Sequence, residues 1–240
     1  MTKLNTLRAE IHKFEIPKTG IQIVNGIIGG TGFFPAADGM IGENRSLETR
    51  SIMFLGQDQD SVENFQETIE KDREDYSPTW NNLKKLLVEV NIPQEECFFT
   101  NCIIGLRAGK MNTGKAPIFK DKAFLRQCED FLALQIATVR PKAIFCLGKV
   151  PFQFLSRLNS KLNQKLRGKD SFRKIDAAGL SVVQQLEFDS IPNLKSNVAV
   201  LVHPSLRWSN VRHRTYGNLM KHEAELAMIH DALHKKSPIH

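Results

Sequence analysis

The sequence predicts an α/β protein: a three-layer α/β/α sandwich around a central, mainly parallel four-stranded sheet. Three observations carry that prediction. Four short apolar runs, 52–55, 97–104, 143–147 and 197–202, read as buried strands. The stretches between them are long or carry helical spacing, as connections in a parallel sandwich do. Three of the runs contain, or end in, a polar residue that is able to face one common cleft: Asp58, Asn101 and His203.

The first run, Ile52-Met-Phe-Leu55, closes on Gly56 and delivers Gln57 and Asp58 just past its end. The C-terminal edge of such a sheet is where ligands bind, so a carboxylate there is placed for chemistry. Gly and Asp are also ordinary turn residues, and ten residues do not separate the two readings. Before this run, residues 1–20 are mixed and polar, with a short helix over 6–13 ended by Pro17. Residues 21–42 are rich in glycine, and Ile27–Phe33 superficially resembles a dinucleotide-binding turn. That turn requires a helix opening at its last glycine, and Pro35, Gly39 and Gly42 argue for a long surface loop instead.

Residues 58–75 hold eight Asp or Glu against Lys71 and Arg73, a local balance of −6. Tyr76-Ser-Pro-Thr-Trp80 reads as a turn opening a helix, with Ser77 as cap, Pro78 in the first turn and Leu83, Leu86, Leu87 and Val90 at helical spacing. Pro93 ends it. The second run, Cys97–Ile104, carries Asn101, either a structural hydrogen-bonder or a group aimed at a ligand edge. Residues 105–120 form a basic loop, 124–139 a helix, 143–147 the third strand and 150–158 the helix after it. Residues 157–174 bear seven Lys or Arg against Asp170, a local +6 that nearly equals the excess of the whole chain. Such a run is usually a solvated face, and here it also suits a phosphate partner. The fourth run, Asn197–Val202, opens into His203-Pro-Ser-Leu-Arg-Trp-Ser209. An amphipathic helix over 216–235 closes the chain. His230 and His234 sit at i, i+4 on it, but with no third ligand evident they are read as surface histidines and no metal is expected.

The 240 residues are read as one domain: an N-terminal extension and glycine-rich loop over 1–50, a core over 51–216 and a C-terminal helix over 217–240. No apolar run approaches the ~20 residues that span a bilayer, and no secretory signal is visible. The four cysteines form neither a Cys-x-x-Cys pair nor a zinc spacing, so reduced, buried thiols and a cytoplasmic location are expected. A net charge of +7 permits a polyanionic partner.

Gly56-Gln57-Asp58, Thr100-Asn101, Cys146-Leu147-Gly148 and His203-Pro204-Ser205, in that order, together resemble the uracil-DNA glycosylase superfamily across residues 50–216. The resemblance implies a monofunctional DNA glycosylase that flips a deaminated base out of DNA and hydrolyses its glycosidic bond. By the same resemblance, Asp58 orients water and stabilises the sugar cation, and His203 donates to the base oxygen where negative charge develops. Gln57 lies in the substrate pocket and Asn101 reads the base edge. Tyr76 stacks on the base, with Phe65 as the alternative. Ser205, Leu206, Arg207, Trp208 and Arg212 belong to the loop that meets and wedges into DNA. No cofactor is expected, because the cysteine set of the iron–sulfur branch is incomplete. The expected partner is DNA, not membrane, and the chain is expected to be a monomer.

Two features depart from the family pattern. The best-known branch continues Gly-Gln-Asp with Pro-Tyr-His, its tyrosine excluding thymine, whereas Gln59 and Asp60 follow here. The acidic 58–75 stretch is also unusual beside a DNA backbone. Two other readings are a non-catalytic nucleic-acid or nucleobase binder of the same fold, and a small-molecule enzyme using Gly29–Gly32 for phosphate.

Overall fold

A computed structural model describes residues 50–58, 61–64, 78–107 and 120–234, with short pieces of 6–22 and residue 67. Tyr76, Phe65, Ser77, the glycines of 26–42 and most of the basic 105–120 loop lie outside the described residues.

The central sheet is built from β1 (Ile52–Gly56), β2 (Cys97–Asn101), β3 (Ala143–Leu147), β4 (Val182–Phe188) and β5 (Ile191–Leu201). Its order is β2-β1-β3-β5-β4, with every neighbouring pair parallel except β5 with β4. Among the described residues the longer helices are α1 (Pro78–Glu89), α2 (Lys122–Val139), α3 (Lys149–Leu155), α4 (Ser160–Leu166), α5 (Phe172–Ala177) and α6 (Lys221–Leu233).

Every residue of β1, β2 and β3 is buried, and the two-residue period of a strand divides them between two cores. Met53, Leu55, Phe98, Ile144 and Cys146 face Phe124, Phe131, Leu132 and Ile136 of α2 and Phe152 and Leu155 of α3. Ile52, Phe54, Phe99, Phe145 and Leu201 face Trp80, Leu83 and Leu87 of α1 and Ala224, Met228 and Ile229 of α6. The second core is aromatic: Phe54 lies 5.4 Å from Phe99 and 5.0 Å from Phe145, and Trp80 stands edge-on 4.9 Å from Phe99. Helices on both faces of one sheet make the three layers.

The sheet differs from the expectation in strand number. Its fifth strand, β4, runs antiparallel along one edge and pairs Val182 with Ala199 and Leu186 with Ser196. The sequence hides it for two physical reasons. An edge strand packs on one side, so Gln184, Gln185 and Glu187 interrupt its apolar residues. The pairing also shifts register between Val183 and Leu186, where Gln185 takes a φ of 52°, so strict alternation fails. The C-terminal helix also starts later than its periodicity suggested. Thr215–Tyr216 pairs with Leu219–Met220 in a small hairpin around Gly217, and α6 begins only at Lys221.

The basic 157–174 segment forms α4 and α5, capped by Asn159 on the Leu162 N–H at 2.6 Å and by Ser171 on the Lys174 N–H at 3.3 Å. All four cysteines are buried and none is in a disulfide. Burial raises every one of their thiols; Cys97 and Cys128 are pushed up to about 12. They are therefore protonated and unreactive at neutral pH.

Candidate active site

Strand register sets out the site. Leu55 is level with Cys146, and Cys146 with Val200, so β1, β3 and β5 end in step at Gly56, Leu147 and Leu201. Asn101 is level with Gly56 on the other side. Asp58 stands two residues beyond the end of β1, and His203 two residues beyond the end of β5. One strand, β3, separates them. At about 4.8 Å per strand the backbones that carry the two side chains stand about 10 Å apart, a spacing on the scale of a pyrimidine ring with its hydrogen-bonding partners.

The floor of that gap is Gly148. Its N–H donates to the Leu201 carbonyl at 2.8 Å, tying the ends of β3 and β5 together. Its φ of 114° is a conformation that favours glycine, and no side chain rises from it into the gap. On the other side, backbone pairing continues past the strand ends, from the Cys102 N–H to the Gly56 carbonyl at 2.9 Å and from Ile103 to Gln57 at 3.0 Å. The Gln57-Asp58 turn is thus fixed to the chain that follows Asn101, which is itself buried.

Gln57 and Arg107 both hold Asp58. Its Oδ2 accepts from Gln57 Nε2 at 2.9 Å and from Arg107 through Nε at 3.1 Å and a terminal nitrogen at 2.5 Å. Both ions are buried, Asp58 to 7% and Arg107 to 4% side-chain exposure. Arg107 is carried by a two-residue strand, Leu106–Arg107, paired with Ile21–Gln22 and bridged to Ser61. In the sequence Arg107 stands only as one residue of a basic loop. Its signal was local: it closes the stretch Cys102-Ile-Ile-Gly-Leu106, and an arginine ending an apolar stretch needs a carboxylate partner if it is buried.

His203 is half-buried at the head of the His-Pro-Ser turn. Burial pushes its imidazole below the ordinary 6.5, while the negative charge of Asp58 pulls weakly the other way. The ring is therefore neutral at neutral pH and carries one N–H. Its Nδ1 lies 2.8 Å from the Ser205 hydroxyl. When that hydroxyl donates, the N–H sits on Nε2, the nitrogen left to meet a ligand.

The turn is clamped from below. Asn82 of α1 donates to the Pro204 carbonyl at 3.0 Å, and the Val202 N–H donates to Glu225 of α6 at 2.6 Å. The buried Glu225 also accepts from Arg207 and from Arg214. Arg214 reaches on to Asp176 through Nε and a terminal nitrogen, each at 3.0 Å, with its guanidinium 4.6 Å from the Phe172 ring centre. A buried Arg–Glu–Arg–Asp chain thus joins the turn to α6 and α5.

The other predicted residues divide. Leu206 and Trp208 are displayed, Trp208 at 88% exposure, as a wedge would be. Ser205 is exposed but engaged with His203. Arg207 is turned inward, only 13% exposed, onto Glu225 and onto His222 Nδ1 at 2.7 Å. Arg212 is exposed, its Nε donating to His213 at 3.0 Å. Among the described residues, no three His, Cys, Asp or Glu side chains converge as metal ligands. No helix among them is long and apolar enough to cross a membrane.

Residues 45–226, well over half of the chain, match the family model of the uracil DNA glycosylase superfamily. The chain belongs to this superfamily. No curated protein matches it. As a superfamily member it has a glycosylase-like function and belongs among the hydrolases of DNA base-excision repair. The matched span takes in the whole central sheet and runs into α6, so Asp58, Asn101, Gly148 and His203 all fall within it.

Proposed function

We propose that this superfamily member is a monofunctional DNA glycosylase that hydrolyses the N-glycosidic bond of uracil, or of a related deaminated base, and leaves an abasic site. One observation carries the reading. A carboxylate and a neutral imidazole flank a glycine-floored gap at the same edge of the sheet, with Asn101 beside them.

The chemistry follows from charge. As the C1′–N bond breaks, positive charge builds on the sugar and negative charge on the departing base, as in other glycosidic cleavages. Asp58 offers a fixed carboxylate to the cation and an acceptor for the attacking water. His203, neutral and carrying its N–H on Nε2 when Ser205 donates to Nδ1, donates to the base oxygen that gains charge. A donor already in place at developing charge is worth a large part of such a barrier, ~3–4 kcal/mol for one hydrogen bond. Asn101 supplies amide groups for the base edge. The base is extruded to reach this gap, and Leu206 and Trp208 fill the space it leaves. Water completes the bond to C1′, and the base leaves as its anion. Among the described residues the site includes no amine, and Lys149 directs its Nζ to the Asp170 carbonyl at 2.6 Å, so simple hydrolysis is the reading.

A second reading keeps the fold and the DNA but drops the chemistry. It is favoured by the Arg107–Asp58 pair, because a carboxylate already neutralised by a guanidinium stabilises a sugar cation less. Incubation with single- and double-stranded oligonucleotides carrying uracil, hypoxanthine or xanthine separates the two. Release of free base with an alkali-labile site supports excision. Salt-dependent binding with no abasic product from any of them supports the binder.

A further inference from the structure

The charged side chains of the basic 157–174 segment, as large a local imbalance as the acidic 58–75 stretch, have no part in the site described above. α5 places its C-terminal portion against the segment that follows the His-Pro-Ser turn. Between them lies a cleft of about 560 Å³, walled by Lys149, Arg173 and Arg212 with Ser171, Asn210 and Met220 among the neighbouring groups. No carboxylate is among its lining residues.

The acids nearby are already committed. Asp170 gives its carboxylate to Lys174 at 2.8 Å and its carbonyl to Lys149. Asp176 is turned inward onto Arg214. Arg173 is exposed and forms no ion pair among the described residues, and Arg212 is exposed as well. The cleft is therefore a concave surface with two guanidinium groups and an ammonium group at its wall, two neutral donors, and no internal counter-charge.

Its position is informative. Lys149 directly follows Gly148, the floor of the gap between Asp58 and His203. Arg212 lies nine positions after His203, with the displayed Leu206 and Trp208 between them. The cleft thus opens on the same edge of the sheet as the candidate active site, on its β3–β5 side, beyond the wedge.

We propose that this cleft is a binding track for the phosphodiester backbone of DNA beside the extruded nucleotide, with Lys149, Arg173 and Arg212 neutralising consecutive phosphates. The proposal rests on reading the neighbouring site as that of a DNA glycosylase. Guanidinium groups match phosphate oxygens in a planar, two-pronged geometry, and Ser171 and Asn210 add neutral donors. Contacts of this kind fix position without reading sequence, so the track serves every lesion context alike. Of the seven basic residues in 157–174 it gives a role to Arg173, and it joins that residue to Lys149 and Arg212 from outside the segment.

The test is equilibrium binding of the full chain to lesion-free duplex and single-stranded oligonucleotides, by fluorescence anisotropy, between about 50 and 200 mM salt. Each phosphate contact contributes ~0.9 to the slope of log affinity against log salt for duplex, and ~0.7 for single strands. Removing two in the Lys149→Ala, Arg173→Ala double variant lowers the duplex slope by about 1.8. The loss of affinity across that fourfold salt range then shrinks by about 12-fold. Lys195→Ala removes the same charge near the far end of β5, beside Glu187, and leaves the slope unchanged. Arg173→Glu, at an exposed position, weakens binding more than Arg173→Ala and guards against misfolding of the double variant. A double-variant slope equal to wild type, or a slope that Lys195→Ala lowers as much, overturns the track. So does a wild-type chain that does not bind DNA. If wild type excises bases while the double variant binds as wild type does, the track falls and the glycosylase reading stands. If binding depends on Lys149 and Arg173 but no lesion is excised, the reverse holds.

Discussion

Replacing Arg107 by methionine removes one half of a buried ion pair and leaves the other half in place. In the folded protein Arg107 meets Asp58 through two nitrogens, at 3.1 and 2.5 Å, with both side chains at least nine-tenths buried. Screening by solvent is therefore small, and the dominant cost is the desolvated Asp58 carboxylate left behind. Breaking one partner of such a pair typically costs ~3–5 kcal/mol. The Gln57 amide still donates to Asp58 at 2.9 Å, which favours the lower figure. For a domain of this size each kcal/mol is worth about 2–4 °C in Tm, so ~3 kcal/mol predicts a fall of about 6–12 °C. Asp58→Asn is milder, because the amide oxygen still accepts from Arg107. The double variant removes the stranded charge altogether. A thermal-unfolding cycle over wild type, both single variants and the double variant should show a coupling of at least ~1.5 kcal/mol, with the double variant more stable than Arg107→Met alone. Additivity within ~0.5 kcal/mol, or an Arg107→Met Tm within about 2 °C of wild type, refutes the argument that this pair is a buried, mutually dependent unit.

Three further outcomes follow from the same geometry. His203 acts neutral, and its burial holds its titration below 6.5, so single-turnover excision stays level as pH falls to that value and declines only below it. A decline centred at or above 6.5 contradicts the assignment. Ser205→Ala removes the hydroxyl that selects the Nε2–H tautomer; losing one neutral hydrogen bond, ~1 kcal/mol, slows excision about 5-fold with little change in Tm, and an unchanged rate shows the hydroxyl to be incidental. Leu206→Ala and Trp208→Ala, both at displayed positions, alter stability by less than ~0.5 kcal/mol but reduce excision from duplex more than from single strands, as a wedge requires; equal losses on both substrates remove that role.

Much of the framework was legible because buried strands announce themselves. Runs such as Ile52–Leu55 and Ala143–Leu147 have no polar face, and the residues that follow them, Asp58 and Gly148, then fall at the sheet edge by counting. Val182–Phe188 was not legible because an edge strand with a bulge mixes glutamines with valines and breaks the two-residue period. The start of α6 was missed because Tyr216, Leu219 and Met220, apolar enough to continue the helical pattern, are used in a hairpin. Asp58, Asn101 and His203 were singled out as candidates by their positions after or within strands, and the strand register sets all three at one edge of the sheet. Arg107 was not, because its partner is 49 residues away and pairing of that kind is decided by the packed structure. Arg207 shows the converse: in sequence it belongs to an exposed, basic turn, yet the buried Glu225 beneath that turn draws it inward.

The central claim is that Asp58 performs chemistry in a gap closed on its other side by His203. The most direct measurement is single-turnover release of uracil from a single-stranded oligonucleotide by wild type and by Asp58→Asn, after circular dichroism has shown that both are folded. Wild type is expected to give an abasic product and Asp58→Asn a rate at least about 100-fold lower, the scale on which one electrostatic catalytic group acts. A folded Asp58→Asn protein that releases uracil as fast as wild type would contradict the claim.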